Sequence, residues 1–142
     1  MYFSIVIPTW NRQEMLMRVL AALEKQDDAP EFEVIVINDG STDPTENIAT
    51  MHWALPLTFR TQPNSGPGTA RNHGVTLAKG KFVIFIGDDT VPERNFLAEH
   101  ARVHRDTNDD PLTAVLGYTA WPRGERVTAF MHFINDYGLQ FG

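Results

Sequence analysis

The stretch Phe82–Asp89 reads FVIFIGDD, a short apolar run that ends in two adjacent carboxylates. Two similar apolar runs, Phe3–Ile7 and Phe32–Ile37, lie earlier in the chain, and none of the three alternates strictly between apolar and polar residues. Runs of this length without alternation are typical of strands that are buried on both faces, as in a parallel sheet covered by helices. Each run therefore predicts one strand of such a sheet.

Helical patterns fill the intervals between these runs. Apolar residues recur at helical spacing between Met15 and Leu23, which predicts a helix that begins near Asn11 or Arg12. Proline and glycine signals predict three more helices: a short one with Pro44 in its first turn, one over residues 68–79, and one from Pro92 onward. Two further strands are predicted over Leu57–Thr61 and Ala114–Thr119. Strands and helices that alternate in this way predict a doubly wound α/β sheet.

Length, charge and composition restrict the possible function. A chain of 142 residues that is 42% hydrophobic can bury one core, so we expect a single domain over residues 1–142. The formal net charge of -6 argues against a nucleic-acid partner or an anionic membrane surface. The absence of cysteine excludes disulfides, thiolate zinc sites and cysteine nucleophiles, and it is compatible with the cytoplasmic location that we expect. The N-terminus resembles neither a signal peptide nor a membrane span, so membrane association is expected only through regions outside this chain.

Polar residues directly follow three of the predicted strands. Ligands of open α/β sheets bind outside the carboxyl ends of the strands, near the point where the strand order reverses. We therefore expect a ligand site at that edge of the sheet. The polar residues there are Thr9, Trp10 and Arg12 after the first strand, Asp39 after the second, and Asp88 and Asp89 after the strand that contains Phe85.

Three of these residues suit a nucleotide, although each has an ordinary alternative. Asp39 can accept hydrogen bonds from a ribose hydroxyl or a base imide, but Asp-Gly pairs are also common in simple turns. Trp10 can stack on a nucleobase, although tryptophan more often packs in a core or at its rim. Arg12 can pair with a phosphate, or it can be a solvated charge at the end of a helix.

A glycine-rich loop precedes the third predicted helix. Residues 63–72 read PNSGPGTARN, so a loop that contains Gly66 leads into a helix whose amino end presents free N–H groups to an anion. The loop lacks the spacing of a Walker motif or a dinucleotide fingerprint. Arg71, in the first turn of this helix, is a candidate phosphate contact, and an ion pair with one of the many acids is the alternative.

The adjacent carboxylates of Asp88 and Asp89 are the strongest chemical signal. Two carboxylates at the end of a hydrophobic strand are costly unless a positive charge joins them. Mg²⁺ or Mn²⁺ typically binds one or two carboxylates together with phosphate oxygens and water, which suits a nucleoside diphosphate. A solvated acidic turn is the alternative. His100 and His104 have helical spacing without the glutamate of a zinc protease, so a half-buried helix face or an acceptor contact is favoured over zinc.

Four blocks of sequence, in order, resemble the family 2 glycosyltransferases of the GT-A fold. The blocks cover residues 4–12, 36–43, 64–74 and 80–89, and the resemblance is firm over residues 2–100 and looser through residue 122. It implies a Rossmann-like, mostly parallel sheet flanked by helices. It also implies that Asp88 and Asp89 replace the Asp-X-Asp motif, although Gly87 stands where the first aspartate is usual. Asp89 would then bind the metal, with Asp88 directed toward ribose or a metal-bound water.

The same resemblance implies a donor site and a reaction. Thr9, Trp10 and Arg12 would flank the base, Asp39 would bind it, and Arg71 would lie near the diphosphate. The implied reaction transfers a sugar, most often from a UDP-sugar, with inversion to a glycan, lipid or protein acceptor that the sequence does not identify. The family supplies its catalytic base from beyond the metal motif, so we expect this chain to be a truncated, donor-binding part that is inactive alone. Asp136, the last acid present, is the remaining candidate base.

Two other functions remain to be weighed. The chain could be a nucleotide-sugar binding module without transfer activity, and the presence or absence of an acceptor half decides between these two interpretations. A receiver-like domain with Asp39 as phosphoacceptor requires an acidic pair after the first strand, and Pro8–Trp10 provides none.

Overall fold

The structure is a computed structural model that describes residues 1–121 and 127–136. Its elements, in chain order, are β1 (Phe3–Thr9), α1 (Gln13–Leu23), β2 (Phe32–Asn38), a 3₁₀ helix (Pro44–Thr50), β3 (Leu57–Thr61), α2 (Pro67–Leu77), β4 (Phe82–Phe85), α3 (Phe96–Asp106) and α4 (Ala129–Asp136). The strands predicted over Phe3–Ile7, Phe32–Ile37 and Leu57–Thr61 and the strand predicted from Phe82 are confirmed. The predicted helices near Arg12, at Pro44 and over residues 68–79 are also confirmed.

The four strands form one parallel sheet in the order β3-β2-β1-β4. β1 is fully buried and pairs with β2 over seven residues, from Phe3 opposite Phe32 to Thr9 opposite Asn38. β3 and β4 lie at the edges of this sheet and are only partly buried, and Phe85 in β4 is 49% exposed. Burial on both faces is therefore confirmed for β1 and β2 but is wrong for β4, where Ile84 is buried on one face and Phe85 is half exposed on the other.

Helices cover both faces of the sheet. α1, α3 and the 3₁₀ helix pack on one face, where Leu20, Leu97 and Ile48 join the core formed by β1 and β2. α2 packs on the other face through Ala70. A Cβ atom at Gly74 would lie 2.4 Å from a methyl group of Val6, so this glycine allows α2 to approach β1 closely. The doubly wound α/β architecture is thus confirmed.

Two sequence predictions about the second half of the chain are wrong. Residues 114–119 form no strand, and Leu116 and Tyr118 are more than 80% exposed, because no strand of the described chain pairs with this segment. The helix expected from Pro92 begins only at Phe96. The side chain of Gln26 accepts a hydrogen bond from the Leu97 amide and donates one to a carbonyl in the preceding segment, which fixes the later start.

Gly80 lies against the backbone of β1, just before the chain enters β4. Its replacement tests how closely this segment packs on β1. A Cβ atom at this position would lie 2.5 Å from the carbonyl carbon of Phe3 and the amide nitrogen of Ser4. Because backbone atoms of a central strand cannot move aside, Gly80→Ala is expected to lower the free energy of unfolding by about 1–3 kcal/mol in urea denaturation. Gly68→Ala is the control, because no atom lies within 4 Å of its Cβ position. Equal losses in the two variants would contradict this explanation.

Within the described ranges, no helix has both the length and the apolar character that a membrane span requires.

Candidate functional site

The carboxyl ends of β1, β2 and β4 meet at one edge of the sheet, as predicted. Thr9 Oγ1 donates a hydrogen bond to Asp88 Oδ2 at 2.9 Å, which joins the end of β1 to the segment after β4. The Asp39 amide donates to the Thr9 carbonyl at 2.8 Å, which joins the end of β2 to the same residue. The structure therefore brings together residues that are separated by up to 79 positions in the sequence.

Arg12 lies between the two adjacent carboxylates. Its Nη1 atom donates to Asp88 Oδ1 at 3.1 Å and to Asp89 Oδ2 at 2.7 Å. The charge of Asp88, and then that of Asp89, raises the pKa of the Arg12 guanidinium above its ordinary value, against the opposing effect of burial. The Asp88 side chain is nearly buried, whereas the Asp89 side chain is half exposed. The sequence predicted a phosphate contact or a solvated charge for Arg12, and the ion pairs with these two carboxylates were missed.

Gly87 departs from the expected Asp-X-Asp pattern and lies close to the Asp89 side chain. A Cβ atom at this position would lie 2.8 Å from Asp89 Oδ1. A side chain at position 87 would require the half-exposed Asp89 carboxylate to shift, which is a small adjustment, so packing does not explain the glycine. Among the residues that the structure describes, no group of three or more histidine, aspartate or glutamate side chains is gathered as a metal cage. Within the described residues, the candidate metal ligands at this edge are the two adjacent aspartates.

Asp39 is buried and organises the glycine-rich loop. Its Oδ1 atom accepts hydrogen bonds from Gln62 Nε2 at 2.8 Å and the Ser65 amide at 2.9 Å, and its Oδ2 atom accepts one from the Gly66 amide at 2.8 Å. Burial raises the pKa of this carboxyl, but the hydrogen bonds outweigh burial, and its pKa lies below the ordinary value. Because a carboxylate oxygen can accept two hydrogen bonds, Oδ2 retains capacity for a ligand.

The loop bonded to Asp39 begins α2. Gly66 has a φ of +85°, which favours glycine, and it precedes Pro67 at the start of the helix. The sequence predicts that this loop and the amino end of its helix face an anion, and the structure shows that the Gly66 N–H is donated to Asp39. Arg71 is exposed in the second turn of α2 and forms no ion pair with any acid in the described part of the chain. The alternative that Arg71 merely pairs with an acid is therefore not observed.

Two hydrogen-bonded groups near the site were missed by sequence reasoning. Gln62 Oε1 contacts His73 Nδ1 at 2.9 Å, so His73 and Gln62 form a chain of hydrogen bonds that ends at Asp39. Asn11, with a φ of +53°, accepts hydrogen bonds from the Thr42 and Asp43 amides through Oδ1. Asn11 thereby fastens the loop after β1 to the loop after β2. The only sequence signal for these contacts of Asn11 is a polar residue between Trp10 and Arg12, and the helical pattern assigns that residue to the start of a helix.

The remaining predicted residues have simpler environments. Trp10 is 54% exposed, so its ring is not part of the core. His100 and His104 are buried in α3, and the His104 ring stacks on Phe82 at the amino end of β4, away from Asp88. Burial, and then the charge of His104, lowers the pKa of His100. Both histidines therefore act in packing. Asp136 ends α4, but its side chain lies outside the described residues.

Comparison with known proteins identifies one family and several similar enzymes. The profile of the family described as Glycosyl transferase family 2 matches residues 4–136. Poly(ribitol-phosphate) beta-N-acetylglucosaminyltransferase TarS from Staphylococcus aureus (strain Mu50 / ATCC 700699) is 33% identical over 116 residues, which are 79% of this chain and 20% of that protein. The chain thus spans about a fifth of the length of this relative.

Two solved structures resemble the chain in fold as well as in sequence. The structure of S. aureus TarS 1-349 in complex with UDP-GlcNAc has a TM-score of 0.70 and 35% identity, covering 76% of this chain and 32% of that chain. Mannosyltransferase PcManGT from Pyrobaculum calidifontis, in complex with GDP-Man and Mn²⁺, has a TM-score of 0.70 and 26% identity, covering 86% of this chain and 36% of that chain. The neighbouring structures are GT-A enzymes, so the predicted GT-A fold is confirmed.

Proposed function

Because the chain belongs to glycosyl transferase family 2, we propose that it binds a nucleoside-diphosphate sugar, specifically a UDP-sugar, at the carboxyl edge of β1, β2 and β4. The observation that carries this proposal is the convergence of the buried Asp39 carboxylate and the Asp88–Asp89 pair at one sheet edge, joined through Thr9. TarS has been solved with UDP-GlcNAc, which supports uracil as the base.

The donor base would contact Asp39 and Trp10. Asp39 Oδ2 carries one hydrogen bond from the loop and can accept a second from the imide N–H of uracil. The ring of Trp10 is exposed beside the same edge and offers a flat surface for stacking. Arg71 is exposed and unpaired with acids of the described chain, so its guanidinium can bind a phosphate oxygen. Gly66 contributes through the shape of the loop that leads into α2.

Asp88 and Asp89 would hold Mn²⁺ or Mg²⁺. The two carboxylates already share one cationic nitrogen between them, so this set of donors fits a hard divalent ion that also binds phosphate oxygens and water. When bound, such an ion offsets negative charge on the departing diphosphate. Asp89 is the proposed ligand because its side chain is half exposed, whereas Asp88 is held by Thr9 and would face ribose or a metal-bound water.

For the whole protein we propose glycosyl transfer with inversion to a glycan, lipid or protein acceptor. Residues 1–142 would form part of a single domain that supplies the donor site. A carboxylate base must deprotonate the acceptor. The position of Asp136 at the end of α4 is the basis for keeping it as the candidate. A nucleotide-sugar binding module without transfer activity would have the same donor site, and a transfer assay with the whole protein separates the two functions.

A thermal-shift titration tests the proposed donor. A ligand that binds only the native state raises the melting temperature by mass action. At a ligand concentration one hundred times its dissociation constant, it adds about 2.7 kcal/mol to the free energy of unfolding. We expect UDP and UDP-sugars to raise the melting temperature in the presence of Mn²⁺, and GDP to raise it less. A larger shift with GDP would overturn the uracil assignment, and no shift with any nucleotide would overturn the donor site.

A further inference from the structure

A single nitrogen of Arg12 contacts both carboxylates of the proposed metal site. Nη1 lies 3.1 Å from Asp88 Oδ1 and 2.7 Å from Asp89 Oδ2, so one hydrogen-bonding atom bridges the two side chains. Arg12 comes directly before α1, whereas the two aspartates follow β4. The contact therefore joins two loops at the ligand-binding edge, and it places a positive charge where two adjacent negative charges would otherwise repel each other.

The orientation of Asp88 does not depend on Arg12 alone. Thr9 Oγ1 donates to Asp88 Oδ2, the oxygen that Arg12 leaves free. The side chain of Arg12 is half exposed, so the guanidinium has solvent on one side into which it can turn. Asp88 would thus keep one hydrogen bond from a neutral donor if the guanidinium moved away. With these contacts, the two carboxylates can exchange the guanidinium for a metal ion.

We propose that Arg12 is a placeholder cation, which neutralises Asp88 and Asp89 when no metal is bound and competes with a divalent ion for them. This inference rests on the proposed function, because it uses the same two carboxylates, Asp89 as the metal ligand and Asp88 beside it. A divalent ion that binds Asp88 Oδ1 and Asp89 Oδ2 would take the position of the Arg12 Nη1 atom, so Arg12 leaves when Mn²⁺ binds these two oxygens. Its guanidinium, with five N–H donors, then becomes available to the donor phosphates.

The effect of removing Arg12 on metal affinity shows whether Arg12 competes with the metal or supports its binding. If Arg12 must be displaced, its removal makes the metal bind more tightly, whereas removal of a supporting residue makes the metal bind less tightly. Two partly exposed ion pairs of ordinary strength together correspond to about a five- to tenfold change in affinity. We therefore expect Arg12→Gln to bind Mn²⁺ about five- to tenfold more tightly than the wild type in the absence of nucleotide.

The experiment is a calorimetric titration of the full 142-residue chain with Mn²⁺ alone. Arg18→Gln is the matched control, because Arg18 is exposed on α1, forms no ion pair with a described residue, and its replacement removes the same unit charge. We expect the control to bind Mn²⁺ within about twofold of the wild type, since exposed charges farther apart than about 8 Å are screened at physiological salt. Arg12→Lys keeps the charge and should remain closer to the wild type than Arg12→Gln.

Each outcome of this titration decides the proposal. Equal or weaker Mn²⁺ binding by Arg12→Gln overturns the placeholder role, provided that circular dichroism shows a folded variant. A gain in Arg18→Gln as large as that in Arg12→Gln also overturns it, since the effect would then reflect net charge. Failure of the proposed function looks different: neither the wild type nor Arg12→Gln would bind Mn²⁺, and UDP would not raise the melting temperature of either protein.

Discussion

Asp39→Asn is expected to lower the affinity for UDP by about ten- to a hundredfold and to destabilise the chain. The carboxylate accepts three hydrogen bonds, from Gln62, Ser65 and Gly66, and has capacity for the base imide. An asparagine amide has one accepting oxygen, so its NH₂ group must face an N–H donor of the loop or of the base. A buried donor left without an acceptor costs about 1–3 kcal/mol. Calorimetric titration with UDP and urea unfolding measure the two effects.

Gln62→Ala separates the two roles that we assign to Asp39. This variant removes one hydrogen bond to Asp39 Oδ1 but leaves the carboxylate and its Oδ2 atom in place. We expect it to lose stability, with a smaller loss of UDP affinity than in Asp39→Asn. Asp39→Asn with wild-type UDP affinity would show that this carboxylate organises the loop and does not contact the donor.

Asp89→Ala is expected to abolish the part of the UDP affinity that depends on Mn²⁺. The proposed site has two protein carboxylates, and loss of one should weaken the metal by at least about tenfold, since even residues that only support a metal ligand contribute that much. UDP titrations with saturating Mn²⁺ and with a chelator measure the difference. In the wild type we expect a clear gain on adding Mn²⁺, and in Asp89→Ala we expect the two titrations to agree.

Asp106→Ala is the matched control for Asp89→Ala. Asp106 is an exposed acid at the end of α3, where it pairs with Arg102 on the surface. Its replacement removes the same charge away from the site and should leave the metal-dependent gain unchanged. A gain that survives in Asp89→Ala, or disappears in both variants, would show that Asp89 is not the metal ligand.

The central part of the fold could be predicted from sequence because burial leaves a clear pattern. β1 and β2 have neighbours on both sides and helices on both faces, so most of their residues are apolar. Residues 114–119 have a similar composition but no partner strand in the described chain. A sequence pattern does not show whether a partner is present. The start of α3 was misplaced for a related reason, since it depends on Gln26, which lies 71 residues from Leu97.

The location of the site could be predicted, but its internal contacts could not. Parallel strands place their carboxyl ends together, which was sufficient to group Asp39 with Asp88 and Asp89. The pairing of Arg12 with Asp88 spans 76 residues, and no local pattern indicates it. The loop contacts of Asn11 were likewise invisible, because they depend on how two loops meet across the sheet edge.

The most direct test of the donor site is a calorimetric titration of UDP into this chain at saturating Mn²⁺, repeated after chelation of the metal. We expect one binding site per chain, with an affinity that falls when the metal is removed. Absence of binding in both titrations, from a chain shown to be folded, would contradict the proposal that residues 1–142 carry a nucleotide-sugar donor site.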